Sequence, residues 1–74
     1  MIELSEIRRE AGVTQAEMAE RLRTTQGSVS QLERRSDVLL STLSDYLIAL
    51  GARALITITL GERTFEHVLT EEGR

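Results

Sequence analysis

Val13-Thr14-Gln15-Ala16-Glu17-Met18 is the stretch that most limits what this chain can fold into. Thr14 and Glu17 stand at the S/T-x-x-E spacing of a capping box. There the hydroxyl accepts from the amide three residues on, and the carboxylate reaches back to the cap amide. Val13 and Met18 occupy the two positions of a hydrophobic staple. Together they dictate a helix start at Gln15. Whatever precedes must already have ended, and Gly12 sits where a left-handed helix stop belongs.

The elements follow from that fixed point. Leu4, Ile7 and Ala11 share one face of a first helix, from about Leu4 to Ala11. The second helix runs from about Gln15 to Leu22, with Met18, Ala19 and Leu22 inward. After Arg23-Thr24, Thr25 is a good N-cap. A third helix then covers about Gln26 to Arg34, with Val29 and Leu32 inward and Gln26, Gly27, Ser30 and Gln31 on an outer polar face. Ser41 is the expected cap of a fourth helix, Thr42 to Leu50, whose inward residues are Leu43, Tyr46, Leu47 and Leu50.

Past Gly51 the period changes from helical to alternating. Ala54, Ile56, Ile58 and Leu60 fall on one face of a strand, and Leu55, Thr57 and Thr59 on the other. Gly61-Glu62-Arg63 reads as a turn. Thr64 to Leu69 reads as a second strand, with Phe65, His67 and Leu69 on one face. Thr70 to Arg74 is polar and expected to fray. The reading is one domain in two parts, residues 1–52 helical and 53–74 a hairpin with a short tail.

Composition narrows the function classes. At 74 residues the chain has room for one small core, which buries only about 60% of its unfolded surface. Cysteine is absent and His67 is the only histidine, so thiolate and His-rich metal sites are excluded. No apolar run approaches a membrane span, and MIELSEIRRE has no apolar core of a signal peptide. No nucleophile with a base and no phosphate loop accompanies these absences, so an enzyme is not expected, and no cofactor is implied. Net charge is -3. Residues 1–38 hold six Arg against seven acids and residues 39–74 three against five, so neither half is a basic tail. That argues against a purely electrostatic nucleic-acid binder. It leaves open one that places a few arginines on one face.

Two short helices joined by a tight turn can set the second helix into a major groove. The outer face of helix 3 suits that role. Glutamine offers an acceptor and two donors that match adenine N6 and N7, Gly27 removes bulk, and no acid precedes Glu33. The stretches Thr14-Gln15-Ala16-Glu17-Met18-Ala19-Glu20-Arg21-Leu22 and Thr24-Thr25-Gln26-Gly27-Ser28-Val29-Ser30-Gln31-Leu32-Glu33 resemble the Cro/C1-type (Xre) helix-turn-helix of lambdoid phage repressors. The T-Q-x-x-x-A…Q-x-x-V-S-x-L-E spacing is kept without gaps. The resemblance spans roughly residues 4–50 and implies a mainly α, four-helix repressor-like domain.

It also implies roles. Gln26 matches the principal base-reading glutamine and Gln31 a second base contact. Gly27 falls where many repressors carry another reader, and Ser30 shares that face. Gln15 matches a phosphate-bonding glutamine at the start of helix 2, and Thr25 and Ser28 lie where phosphate contacts are common. Arg34 and Arg35 follow the recognition helix at a place that favours phosphate. Arg8 and Glu33 match a structural ion pair between helices 1 and 3. The family usually has glycine where this chain has Arg23, so a left-handed Arg23 would be strained at about 1–2 kcal/mol, with a phosphate contact as a possible offset.

A second stretch, Glu33-Arg34-Arg35-Ser36-Asp37-Val38-Leu39-Leu40-Ser41-Thr42-Leu43 with Tyr46-Leu47 and Ala49-Leu50-Gly51, is similar to small HigA-like antitoxins. That similarity implies a bacterial, cytoplasmic protein, on the nucleoid when bound to its operator, paired with an mRNA-cleaving toxin and repressing its own operon. Stand-alone regulators share the stretch, and a module that chiefly neutralises a toxin is the further alternative. For the hairpin, helix 4 can cover one side of the sheet while an edge strand stays open. Two such edges pairing across a two-fold axis would make a homodimer suited to double-stranded DNA with two half-sites. Ile56, Ile58, Phe65 and Leu69 are its expected interface.

Overall fold

The computed structural model describes residues 2–71. Four helices, α1 (Leu4–Glu10), α2 (Gln15–Leu22), α3 (Gln26–Arg34) and α4 (Leu40–Ala49), precede two strands, β1 (Leu55–Leu60) and β2 (Arg63–Val68). The chain is mainly helical with a C-terminal hairpin, as the periodicities predict.

The first turn of α2 forms the reciprocal cap. Glu17 N–H donates to Thr14 Oγ1 at 3.0 Å, and Thr14 N–H donates to Glu17 Oε1 at 2.9 Å. Those bonds to the Thr14 backbone and hydroxyl hold the Glu17 carboxyl below its ordinary value. Val13 and Met18 are both buried. Gly12 takes a φ of +75° and lets α1 stop four residues before this cap. Thr25 caps α3, accepting from Ser28 N–H at 3.1 Å.

The core is built where the four helices meet. Leu4 and Val13, with Met18 and Ala19 of α2, Val29 of α3, and Tyr46 and Leu47 of α4, form one buried cluster, flanked by Ile7, Leu22, Leu32, Leu43 and Leu50. Arg21 donates to the carbonyl of Ala49 at 2.8 Å, so a side chain of α2 satisfies an otherwise open carbonyl at the end of α4.

Helix 4 departs from the expected start. It begins at Leu40, its cap is Leu39, and no side chain bonds there. Ser41 lies exposed within the first turn and does not cap. The Leu43 amide bonds the Leu39 carbonyl at 2.9 Å, and the inward set Leu43, Tyr46 and Leu47 fixes where the helix must enter. Packing, not a polar cap, decides this start.

The hairpin is antiparallel, with Ile58 opposite Phe65, Ile56 opposite His67 and Leu60 opposite Arg63. Alternation in β1 holds as read. Helix 4 does not cover it, however. On one face Ile58, Leu60 and Phe65 are 57%, 72% and 44% exposed, and on the other Leu55 is 54% exposed. Arg63 lies 4.9 Å above the Phe65 ring, a charged group stacked on this surface. With the hairpin included, the molecule measures 44 × 27 × 21 Å.

Its base is tied firmly. Leu69 N–H donates to Ala54 O at 3.0 Å, Ser44 Oγ donates to Leu69 O at 2.8 Å, and Ala54 N–H donates to Thr70 Oγ1 at 3.0 Å. Two expectations are corrected here. Leu69 follows β2 rather than belonging to it and is buried within its own chain, so it has little surface left for a partner. Thr70 is buried and bonded rather than frayed; the frayed tail expected over 72–74 lies outside the described residues.

Candidate nucleic-acid interface

Between α2 and α3 the chain turns through Arg23, whose φ of 58° and ψ of 48° are left-handed. It is the only non-glycine residue with positive φ among the described residues. Its N–H bonds Glu20 O at 3.2 Å and the next amide, Thr24, bonds Ala19 O at 2.9 Å, so the turn satisfies two of the carbonyls in the last turn of α2. The expected strain is present. The Arg23 side chain is exposed and no described group pairs with it.

The turn presents α3 with Val29 inward and Gln26, Gly27 and Gln31 exposed, while Ser30 is half-buried beside them. A Cβ added at Gly27 would meet only Thr25 Oγ1, at 4.0 Å. Nothing inside the protein therefore demands glycine, and the missing side chain matters only to whatever lies outside. Thr25 and Ser28 are exposed, with their hydroxyls 3.0 Å apart at the helix start.

Behind this face lies a buried polar node. The Glu33 side chain is 4% exposed. Its Oε2 accepts from Arg8 Nε at 2.7 Å and from the Tyr46 hydroxyl at 2.6 Å. Its Oε1 accepts from Gln15 Nε2 at 3.1 Å and Arg8 Nη2 at 3.3 Å. Arg8 Nη1 reaches on to the Val13 carbonyl at 2.8 Å, just before the α2 cap. One carboxylate thereby ties α1, α2, α3 and α4. Burial alone would push the Glu33 carboxyl up, yet donors from Arg8, Tyr46 and Gln15 outweigh it and hold the group below the usual carboxylate range. Burial, followed by the bond to Glu33, pushes the Tyr46 hydroxyl up, so it stays a donor. The bond to Glu33 raises Arg8 further. The ion pair expected between Arg8 and Glu33 is present, and Tyr46 is core.

The structure also gathers residues that sequence spacing does not. Gln15, Ser30, Arg34 and Arg35 line one open groove of about 650 Å³, and Arg9 of α1 joins them there with Ser5 and Glu3. Arg34 and Arg35 are exposed with no described partner. Arg9 touches only Ser5 Oγ, at 3.5 Å. Sequence reasoning missed Arg9. No local signal marks it, since only the docking of α1 on α3 brings it to this groove. Glu33 is in the groove wall but already neutralised by Arg8. The predicted hairpin residues Ile56, Ile58 and Phe65 belong to a separate surface. No group of three metal-ligating side chains occurs among the described residues, and no described helix is long and apolar enough to cross a membrane.

A capped helix, a left-handed turn and a second capped helix with a polar outer face define a helix-turn-helix unit. The helix-turn-helix family model, HTH_3, matches residues 4–55, and the chain belongs to this Cro/C1-type family. Among solved structures it is similar to one described as "DNA bound antitoxin HigA3", at 37% identity over 90% of each chain with a TM-score of 0.80. It is also similar to one described as "Induced DNA bending by unique dimerization of HigA antitoxin", at 37% identity and a TM-score of 0.77, over 90% of this chain and 93% of that one. No curated protein matches.

Proposed function

We propose that this protein is a sequence-specific DNA-binding repressor, the antitoxin of a bacterial toxin–antitoxin pair that represses its own operon from the cytoplasm. The observation that carries the reading is the outer face of α3. Gln26, Gly27 and Gln31 stand exposed on a helix whose start is capped by Thr25 directly after the left-handed Arg23 turn. Uncharged amides with nothing in the chain to bond are suited to base edges, where each bidentate pair discriminates by about 1–3 kcal/mol. Gln15, Arg23, Thr25, Ser28, Arg34 and Arg35 flank that face as phosphate contacts. The likeness at 37% identity to HigA antitoxins, one of them described as DNA-bound, supports the class.

In this reading residues 1–52 bind DNA and residues 53–74 make the homodimer. Ile56, Ile58 and Phe65 lie on one face of an uncovered two-stranded sheet, and such a sheet alone is marginal in water. A second copy would cover the apolar face and pair an open edge. The alternative, a module that chiefly neutralises a toxin, draws support from Ile2, Leu39 and Leu40, which are 60%, 73% and 56% exposed near the α3–α4 corner.

A gel shift with the DNA upstream of its own reading frame, with and without the product of the neighbouring frame, tests the proposal. Specific binding over random duplex, altered by the neighbour's product, is expected. Binding to the neighbour's product with no preference among DNAs would favour the alternative.

A further inference from the structure

The groove beside the recognition helix holds an arginine that the helix-turn-helix pattern does not predict. We infer that Arg9 of α1 is a further phosphate-binding residue, closing with Gln15, Arg34 and Arg35 a cationic channel for one stretch of DNA backbone. The inference rests on the DNA-binding reading above.

Three observations carry it. First, the groove places Arg9 on the same wall system as Gln15 and Ser30, side chains already adjacent to the exposed face of α3. A DNA backbone lying against the exposed face of α3 would run beside this groove. Second, the arginines of the chain divide by what they hold. Arg8 is committed to Glu33, Arg21 to the Ala49 carbonyl and Arg63 to the Phe65 ring. Of the arginines with no carboxylate or carbonyl partner among the described residues, Arg23 lies in the α2–α3 turn and Arg53 on the hairpin side, while Arg9, Arg34 and Arg35 are all exposed around one groove. Third, the groove's buried acid is already paired. Glu33 is ionised but answered by Arg8, Tyr46 and Gln15, so it subtracts little from the field that the three free guanidinium groups make. Glu3 at the rim and Glu6 and Glu10 along α1 are the opposing charges on that side. A protein of net charge -3 would in this way bind a polyanion through local segregation of charge rather than through an overall basic surface. A guanidinium also suits the phosphate oxygens geometrically, since its N–H groups pair with two of them at once.

The test is Arg9→Ala, with Arg9→Lys and Arg53→Ala beside it, titrated on the protein's own upstream duplex and on random duplex over a range of salt. Arg9→Ala should weaken both by a similar factor, roughly threefold to tenfold at 0.1 M salt, and lower the slope of log affinity against log salt by about one. Arg9→Lys should restore the slope, because the charge is kept. Arg53→Ala, on the hairpin side of the molecule, should change neither. Arg9 is exposed, so the melting temperature of Arg9→Ala should stay at the parent value. An unchanged slope in Arg9→Ala, with slopes lowered in Arg34→Ala and Arg35→Ala, would overturn the inference and leave the DNA-binding reading intact. A parent protein that shifts neither duplex would overturn both.

Discussion

The helical body and the hairpin use their apolar residues in opposite ways. In the body, Met18, Val29 and Tyr46 are fully enclosed, and even the Arg8–Glu33 pair keeps less than a tenth of its side-chain surface exposed. In the hairpin, Ile58, Leu60 and Phe65 alternate correctly and are nonetheless exposed. Correct periodicity therefore does not by itself make a core. The body is complete within one chain, whereas the hairpin has the pattern of a buried sheet without the second layer that would bury it.

The largest effect should come from the body. Glu33→Ala leaves the Arg8 guanidinium buried without its counter-charge and removes the nearer acceptor of the Tyr46 hydroxyl, which keeps only the Leu4 carbonyl at 3.3 Å. Breaking a buried pair from one side costs about 3–5 kcal/mol, a large share of what so small a domain has. Urea unfolding of the parent and variant measures it, and a loss below about 1 kcal/mol would mean that the node is wetter than its geometry indicates. Acid gives an independent check. Glu33 ionises in the folded chain at a lower pH than when unfolded. Its stabilising contribution is therefore complete above the ordinary carboxylate range and fades as pH falls through the folded value. Glu33→Gln should flatten that acid limb.

The hairpin should answer to concentration instead. With Ile58→Ser and Phe65→Ser combined, the sheet stays tied at Leu69 and Thr70 but loses its apolar face. Sedimentation should report a monomer, and the melting temperature should lose its dependence on concentration. Affinity for a two-half-site duplex should fall by about 10²-fold as avidity is lost. A cut after Gly51 is a blunter tool, because it also strips Leu69 from the body and leaves Ser44 Oγ without the Leu69 carbonyl. If the double variant remains a dimer, the interface lies on the helices.

The same contrast governs what could be read from the chain in advance. Elements fixed by neighbours in sequence were legible. The Thr14–Glu17 box starts α2, Thr25 starts α3, and Gln26 and Gln31 face outward by helical spacing. Features made by distant residues were not. The start of α4 follows from packing of Leu43, Tyr46 and Leu47 rather than from Ser41. Ser44 is buried because its acceptor, the Leu69 carbonyl, lies 25 residues away. Leu69 continues the alternation of β2 in sequence, yet the ladder ends at Val68 and Leu69 is buried at the hairpin's base, bonded to Ala54 and Ser44. Arg9 reaches its groove only once α1 has docked.

Between those extremes sits the reading face, where function should move without stability. Gln26→Ala removes an exposed amide that bonds nothing in the chain, so unfolding should be unchanged within about 0.5 kcal/mol. On the specific operator it should cost about 1–3 kcal/mol, and much less on random duplex. Equal losses on both DNAs would place Gln26 outside base readout.

The smallest effect is at the junction of α2 and α3, and its sign is what matters. Arg23 is held left-handed, at φ 58° and ψ 48°, a conformation that costs a residue with a Cβ roughly 1–2 kcal/mol. Arg23→Gly removes that cost while adding chain entropy to the unfolded state, which takes back part of the gain. The variant should melt slightly higher than the parent. A lower melting temperature would mean that the arginine side chain stabilises the free protein by more than the strain costs, although its head group has no partner among the described residues. DNA binding separates the two ways of tolerating the strain. If Arg23 is retained for a phosphate, the glycine variant should be the more stable protein and the weaker binder, with the salt slope lower by about one. If affinity and slope are both unchanged, the strain is offset by nothing outside the chain, and Arg23 is no phosphate contact.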